Sequence, residues 1–311
     1  MNALDVWSRA RTDAARSSGV HEVAALARPA LAISALGCTD HHAGEACRYQ
    51  VAWSINPHMA IGAVELSRAA VEHAAFAAAL EATGALLMRL PFVHGAYDSV
   101  FVKDPALLLM RHGRRRALLA RFRHRERGPE RLARAHAYAR HGYEIVGDDH
   151  GPHWEGGDVV MLPSGAGLLL GHGFRTDRAA SDWLERHANV PVWPLELCDP
   201  RLYHLDMAVA MLPDGTALVC PRALTPHALR TLEQVPGVRR LIEVGEASAL
   251  GFALNLVALG TTIVLGAHDR EVEATVRALG YRCVVVPLRQ FHLAGGSAAC
   301  LVAAVHHAPL D

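Results

Sequence analysis

From residue 65 to 80 apolar positions recur every three to four residues, and Leu66, Ala69, Ala70, His73, Phe76, Ala77 and Leu80 share one helical face. Four further segments carry helix signals. Residues 129–141 are entered by Gly128-Pro129 and stopped by Gly142. Residues 177–188 and 226–234 follow, and 271–279 end at Gly280. Between these helices lie short apolar runs that arrive in pairs: 100–110 with 117–121, 159–162 with 167–171, 207–212 with 216–220, and 253–259 with 262–265. Pro213-Asp214-Gly215 is a hairpin turn inside the third pair. Strand pairs alternating with helices predict an α/β chain.

The pairs are evenly spaced. Asn56, Asp104, Asp158, Asp206, Asn255 and Cys300 stand at the heads of successive pairs, at steps of 48, 54, 48, 49 and 45 residues. A fixed period of this length is the mark of a propeller or another repeat array. Equivalent positions then face one axis, so polar residues heading the inner strands converge on a central pocket. The plainer reading is that Asn and Asp collect at strand entrances because they form turns. The pattern divides the chain into an N-terminal arm and first helix or strand leading into the fold, 1–45, and a single domain of repeated modules, 46–311.

Composition narrows the function. The 311 residues carry 31 Lys plus Arg against 31 Asp plus Glu, and 51% are hydrophobic. Such a chain buries a sizeable core and is not disordered. With no basic excess it is not a nucleic-acid binder that works by neutralising phosphates. No run of 18 apolar residues exists and the first twenty lack a signal-type core, so a soluble, cytoplasmic protein with no membrane partner is expected. The six cysteines, at 38, 47, 198, 220, 283 and 300, form no CxxC pair and read as thiols. No Walker or dinucleotide glycine motif is present, so no cofactor is implied. Twenty histidines, among them His41, His42, His150 and His153, raise a metal-dependent hydrolase as an alternative, but HExxH and HxH spacings are missing. His21, His187, His306 and His307 read as surface residues.

Four segments concentrate reactive side chains. In 153–158, Glu155 and Asp158 flank Gly156-Gly157; in 203–206, His204 stands two residues before Asp206; in 98–104, Asp98 and Asp104 bracket a strand head; and Cys300 follows Gly295-Gly296. Each has a bland counterpart. A cysteine in an apolar run is commonly a small buried hydrophobe, and a glycine pair suits a tight turn by permitting positive φ. Together they supply a nucleophile, an acid–base group and a pair of cation-binding carboxylates.

In this order, from Cys47 to Val305, the segments resemble those of the guanidino-group-modifying enzymes, the pentein superfamily of dimethylarginine dimethylaminohydrolases, arginine deiminases and amidinotransferases. The resemblance rests on RYQVAWSINPHM at 48–59, DSVFVKDPALLL from Asp98, EGGD from Glu155, Gly173-Phe174-Arg175-Thr176, HLD from His204 and the glycine-rich approach to Cys300. It implies a five-bladed pseudo-symmetric α/β propeller and hydrolysis of a guanidinium C–N bond in arginine or a methylated arginine. Cys300 is then the nucleophile and His204 the acid that protonates the leaving nitrogen and later activates water. Glu155 and Asp104 clamp the guanidinium; Arg175 and Arg127 bind the substrate carboxylate; Asp98 meets its ammonium. Asp158 belongs to the substrate-binding set, and Asp206 orients either His204 or the substrate. The partner is a small guanidino compound, with self-association open.

Two departures bear on the substrate. Dimethylargininases tend to carry Glu where this chain has Lys103, a side chain that strand alternation turns outward. Arginine dihydrolases, which release ornithine, tend to carry Asn where this chain has Asp104. Amidinotransferases share the Cys-His-carboxylate set and stay as an alternative.

Overall fold

The computed structural model describes residues 28–39, 46–111 and 113–307. One arrangement recurs through them: two antiparallel strands, a helix, and a third strand parallel to the second. The first complete copy runs β5 (Ala106–Arg111), β6 (Arg114–Leu119), α2 (Gly128–Arg140) and β7 (Tyr143–Val146), all following β1 (Ala30–Ser34), β2 (Gly37–Thr39), β3 (Ala46–Arg48), α1 (Leu66–Ala82) and β4 (Leu86–Leu90). The second is β8 (Val159–Met161), β9 (Leu168–His172), α3 (Ala180–Ala188) and β10 (Val192–Glu196). The third is β11 (Val209–Met211), β12 (Thr216–Val219), α4 (Pro226–Gln234) and β13 (Arg240–Glu243). After α5 (Glu246–Leu250) comes the fourth: β14 (Val257–Leu259), β15 (Thr262–Leu265), α6 (Arg270–Ala278) and β16 (Arg282–Val285).

The fifth copy is split between the two ends of the described chain. Beyond α7 (Arg289–His292), strand β17 (Ala303–His307) pairs antiparallel with β1, which pairs parallel with β4 across α1. Strand β17 also pairs with β5, which fuses two copies into a six-stranded sheet ordered β4-β1-β17-β5-β6-β7. The first strands of all five copies line one central cavity of about 590 Å³. Ala30–Ser34, within the N-terminal segment 1–45, is the strand by which the chain enters this sheet; residues 1–27 and 40–45 of that segment, His41 and His42 among them, lie outside the described residues.

Apolar burial explains why the modules hold together. Leu108, Leu118, Leu169, Leu218 and Ile263 are fully buried between helices and sheet. Helix α1 buries Ala69, His73, Phe76, Ala77 and Leu80 as its period requires, while Ala70 is exposed. Thr225 and Asp269 cap α4 and α6 by accepting from the backbone N–H of Ala228 and Val272. The expected start of α3 at 177 is late by three residues, because Asp177 instead accepts from the His153 backbone N–H.

Several expectations change. The third strand of each copy carries no clear signal, since β13 and β16 are half-exposed edges of only four residues. Asn56 heads no strand: it lies in an irregular stretch, and the fifth inner strand is supplied by β17. The stretch 48–59 is strand only at its first residue. His187 stacks on Trp183 at 4.1 Å between ring centroids, and His306 is half-buried, so neither is a plain surface residue; His21 lies outside the described residues. Among the described residues no helix is long and apolar enough to cross a membrane.

Candidate active site

Five polar residues stand just before the five inner strands: Asp104 before β5, Asp158 before β8, Asp206 before β11, Asn255 before β14 and Cys300 before β17. The repeat in the sequence is thus a repeat in space. Asp158 and Asp206 sit in short 3-10 turns, Gly156–Asp158 and Leu205–Met207, that carry the chain from one module into the next. Cys300, His204, Glu155, Asp104, Asp98, Arg127, Arg175, Asp158 and Asp206 are each at most 4% exposed. The fold brings all of them into one cluster.

At its centre His204 Nε2 lies 3.1 Å from Glu155 Oε2, and Nδ1 lies 3.8 Å from Asp104 Oδ1. Glu155 accepts from Arg175 Nη1 at 3.2 and 3.3 Å. Asp104 accepts from Arg127 Nη1 at 2.5 Å and from the Gly157 N–H at 2.9 Å. Arg127 is pinned by both oxygens of Glu130, at 2.7 and 2.9 Å. Arg175 also donates to the Ile55 carbonyl at 2.7 Å and lies over the Tyr203 ring. Asp98 accepts from Trp53 Nε1 at 2.7 Å, while its Oδ1 meets no donor among the described residues. Asp158 does not face the cavity; it accepts from the Leu205 N–H at 3.0 Å and so braces the turn that carries His204.

Cys300 Sγ receives Asn255 Nδ2 at 3.1 Å and lies 3.9 Å from Asp206 Oδ2. The Asn255 Oδ1 in turn accepts from the backbone N–H groups of Ala299 and Cys300, at 3.0 and 3.3 Å. Asn255 is thus a functional neighbour that chemical motifs missed and only the 49-residue step marked. Trp53, Tyr203 and Glu130 carried no signal, because each belongs to the cluster through tertiary contact alone. Lys103 departs from expectation. Residues 101–105 are irregular, strand alternation does not apply, and Lys103 Nζ points inward to Asp206 Oδ2 at 2.7 Å.

The glycines of EGGD serve close approach, not positive φ. A Cβ on Gly156 would overlap the Lys103 carbonyl, and one on Gly157 would overlap the His204 ring and reach 2.8 Å from Asp104 Oδ1. Neither glycine has positive φ. The pair lets three modules meet around His204.

Burial sets the protonation states. It opposes charge on His204, but the carboxylates of Asp104, Asp158 and Glu155 outweigh it and push the imidazole up to about 9. At neutral pH this ring is a cation able to donate a proton. Burial likewise opposes charge on Glu155, yet Arg175 and His204 hold its carboxyl well below the usual range. Burial, reinforced by Asp206 and Asp104, pushes the Cys300 thiol up, so it stays protonated until a positive charge arrives. Burial lifts Asp158 to about 7. The donors of Asp104, Glu155 and His204 lie within 4.8 Å of one another, a spacing that would suit a metal ion. Arg127 and Arg175 already pair with these carboxylates, so any cation arriving there must compete with two guanidinium groups.

Comparison with known proteins places this arrangement in a family. No family model matches the chain. It is 33% identical over 265 residues to the N(G),N(G)-dimethylarginine dimethylaminohydrolase of Mycobacterium tuberculosis H37Rv, covering 83% of each chain. It is 29% identical over 205 residues to the bifunctional arginine dihydrolase/ornithine cyclodeaminase AgrE of Nostoc, covering 66% of this chain and 29% of AgrE. The solved N-terminal domain of cyanobacterial ArgZ, an arginine dihydrolase, superposes with a TM-score of 0.81 at 26% identity, over 91% of this chain and all of that domain. A variant of that domain has been solved covalently bound to a reaction intermediate. Similarity across this span, with the reactive residues gathered at the heads of five like modules, makes the chain a member of the guanidino-group-modifying (pentein) superfamily, to which these relatives belong.

Proposed function

We propose that this protein hydrolyses one guanidinium C–N bond of arginine or a methylated arginine, giving citrulline and ammonia or an amine. The observation that carries the reading is one narrow pocket lined by the Cys300 thiol, the Asp104 and Asp98 carboxylates, Arg127 and Arg175, with the Glu155 carboxylate buried against Arg175 and the His204 imidazolium against Glu155. A guanidinium carbon is a poor electrophile. It needs paired carboxylates to orient it and a soft nucleophile to attack it, the roles of Glu155 with Asp104 and of Cys300. The arriving cation favours the thiolate of Cys300. Sγ then adds to the guanidinium carbon, and the His204 imidazolium protonates the departing nitrogen, which leaves a thiouronium on Cys300. The neutral imidazole takes a proton from water as that water attacks the same carbon, and Sγ departs.

The cavity among these groups is only about 10 Å³, room for roughly one water. Substrate entry therefore requires a side chain to move. Arg175 is the candidate, since its bonds to Glu155 are long while Arg127 is tied to four partners, the carboxylates of Glu130 and Asp104 and the carbonyls of Asp98 and Phe101. Moved off Glu155, Arg175 frees that carboxylate for the guanidinium and meets the substrate carboxylate, and Asp98 takes the ammonium. In this reading residues 30–307 are one catalytic domain, a five-bladed propeller closed by β17, a closure supported by the shared central cavity.

A second reading, arginine dihydrolase, is favoured by the likeness to the ArgZ domain. Ornithine release needs the neutral ureido group to be attacked again, and a carboxylate at Asp104 forms no ion pair with it. Mass spectrometry of products from arginine and from methylated arginines separates the two. Citrulline as end product supports the single displacement; ornithine without an added acceptor overturns it, and amidine transfer to an acceptor amine overturns hydrolysis.

A further inference from the structure

A second cluster of ligating side chains lies outside the active site. Strands β2 and β3 form a hairpin in which Cys38 stands directly opposite Cys47, so both side chains leave the same face. The loop after β4 brings His94 against them, with Nδ1 3.7 Å from Cys38 Sγ. The two sulfurs and the ring nitrogen all lie within 4.8 Å of one another. The Gly95 N–H donates to Cys47 Sγ at 3.2 Å.

We propose that Cys38, Cys47 and His94 bind a zinc ion. Two sulfurs held at about 2.3 Å from a tetrahedral ion lie roughly 3.8 Å apart, and a sulfur and an imidazole nitrogen roughly 3.5 Å apart. From separations of at most 4.8 Å, the three donors need to close by no more than about 1.3 Å to reach that geometry. Two thiolates with one imidazole select zinc over magnesium or calcium, which take oxygen ligands. Cys47 is buried and His94 exposed, so the fourth position opens toward solvent and takes water. The spacing from Cys38 to Cys47 to His94 fits no short metal motif, which is why the sequence offered no hint of it.

The position has a consequence for the pocket. The chain after Cys47 leads to Trp53, and the chain after His94 leads to Asp98; Trp53 Nε1 donates to Asp98 Oδ2 at 2.7 Å. An ion held by Cys38, Cys47 and His94 staples together the two segments that carry this pair at the pocket wall.

The test uses full-length, reduced protein carrying Cys300→Ala, so that the catalytic thiol contributes no metal–thiolate signal. Titration with cobalt(II) is expected to give a sulfur-to-metal charge-transfer band and tetrahedral d–d absorption that saturate at one equivalent, with zinc displacing both. Adding Cys38→Ser should lower the charge-transfer intensity by about half. Adding His94→Ala, at an exposed position that leaves the core intact, should weaken zinc at least about tenfold in competition with a chromogenic chelator. Adding Cys198→Ser should change nothing. A reduced protein without a cobalt–thiolate band, or one whose band survives both Cys38→Ser and His94→Ala, overturns the proposal.

Discussion

Asp104→Asn isolates one carboxylate of the proposed clamp with almost no change of shape. In the structure one oxygen of Asp104 takes Arg127 and the other takes the Gly157 N–H. An amide can satisfy only one of them. If its oxygen faces Gly157, its NH₂ meets the Arg127 donor, and if it is turned over, its NH₂ meets the Gly157 N–H. Either way a buried donor loses its acceptor, at about 1–3 kcal/mol of stability. The guanidinium loses a charge-assisted hydrogen bond, worth about 1.5–3 kcal/mol. At tenfold per 1.36 kcal/mol, that is roughly a 10- to 150-fold fall in kcat/KM for arginine. Asp104 is also one of the carboxylates whose charge pushes His204 up to about 9, so the alkaline limb of the kcat profile should move to lower pH. The amide can donate to a ureido oxygen, so some ornithine should accompany citrulline. The assay is steady-state kinetics across pH with product analysis, at a temperature where circular dichroism shows the variant folded. Wild-type kcat/KM together with an unmoved alkaline limb would mean that the guanidinium binds elsewhere and that Asp104 is not part of the clamp.

Cys300→Ala should abolish turnover, acid-quenched wild type should carry a covalent adduct on Cys300, and Cys283→Ala should keep most activity; full activity in Cys300→Ala ends the mechanism. Asn255→Ala removes the donor 3.1 Å from Sγ and the acceptor for two backbone amides, so kcat should fall at least about tenfold with little change in KM, and an unchanged kcat refutes a positioning role. The His204 pKa is raised from 6.5 to about 9, so its stabilisation is fully present below pH 6.5 and is lost as pH rises through 9. Integrated, this is roughly 3 kcal/mol, and the fall in Tm between those values should flatten in His204→Asn; an equal fall in both proteins refutes it. Gly157→Ala drives a methyl into the His204 ring, so activity should be lost even where the variant folds, as checked by near-ultraviolet circular dichroism with arginine turnover; wild-type kcat contradicts the packing.

The α/β class, the modular period and the reactive residues Cys300, His204, Glu155, Asp158, Asp98, Asp104 and Asp206 are legible in local chemistry: helix periodicity, glycine stops and polar residues at the heads of apolar runs. Arg127 and Arg175 come only through the family resemblance. The sequence by itself also led to Asn255 through spacing alone, without saying that this amide would hold Cys300. Tertiary structure decided the rest, because the deciding partners are far apart in the chain. That Ala303–His307 completes the module begun by Ala30–Ser34 depends on strand pairing between the two ends. That Asn56 heads no strand, and that Lys103 turns in to Asp206, depends on irregular backbone where strand alternation does not hold. The need for Gly156 and Gly157 is written in the approach of the Lys103 carbonyl and the His204 ring, not in a turn. The His204 charge state is likewise no property of its own segment. It follows from burying one imidazole among carboxylates delivered by two other modules, where the low polarity of the surroundings strengthens their pull.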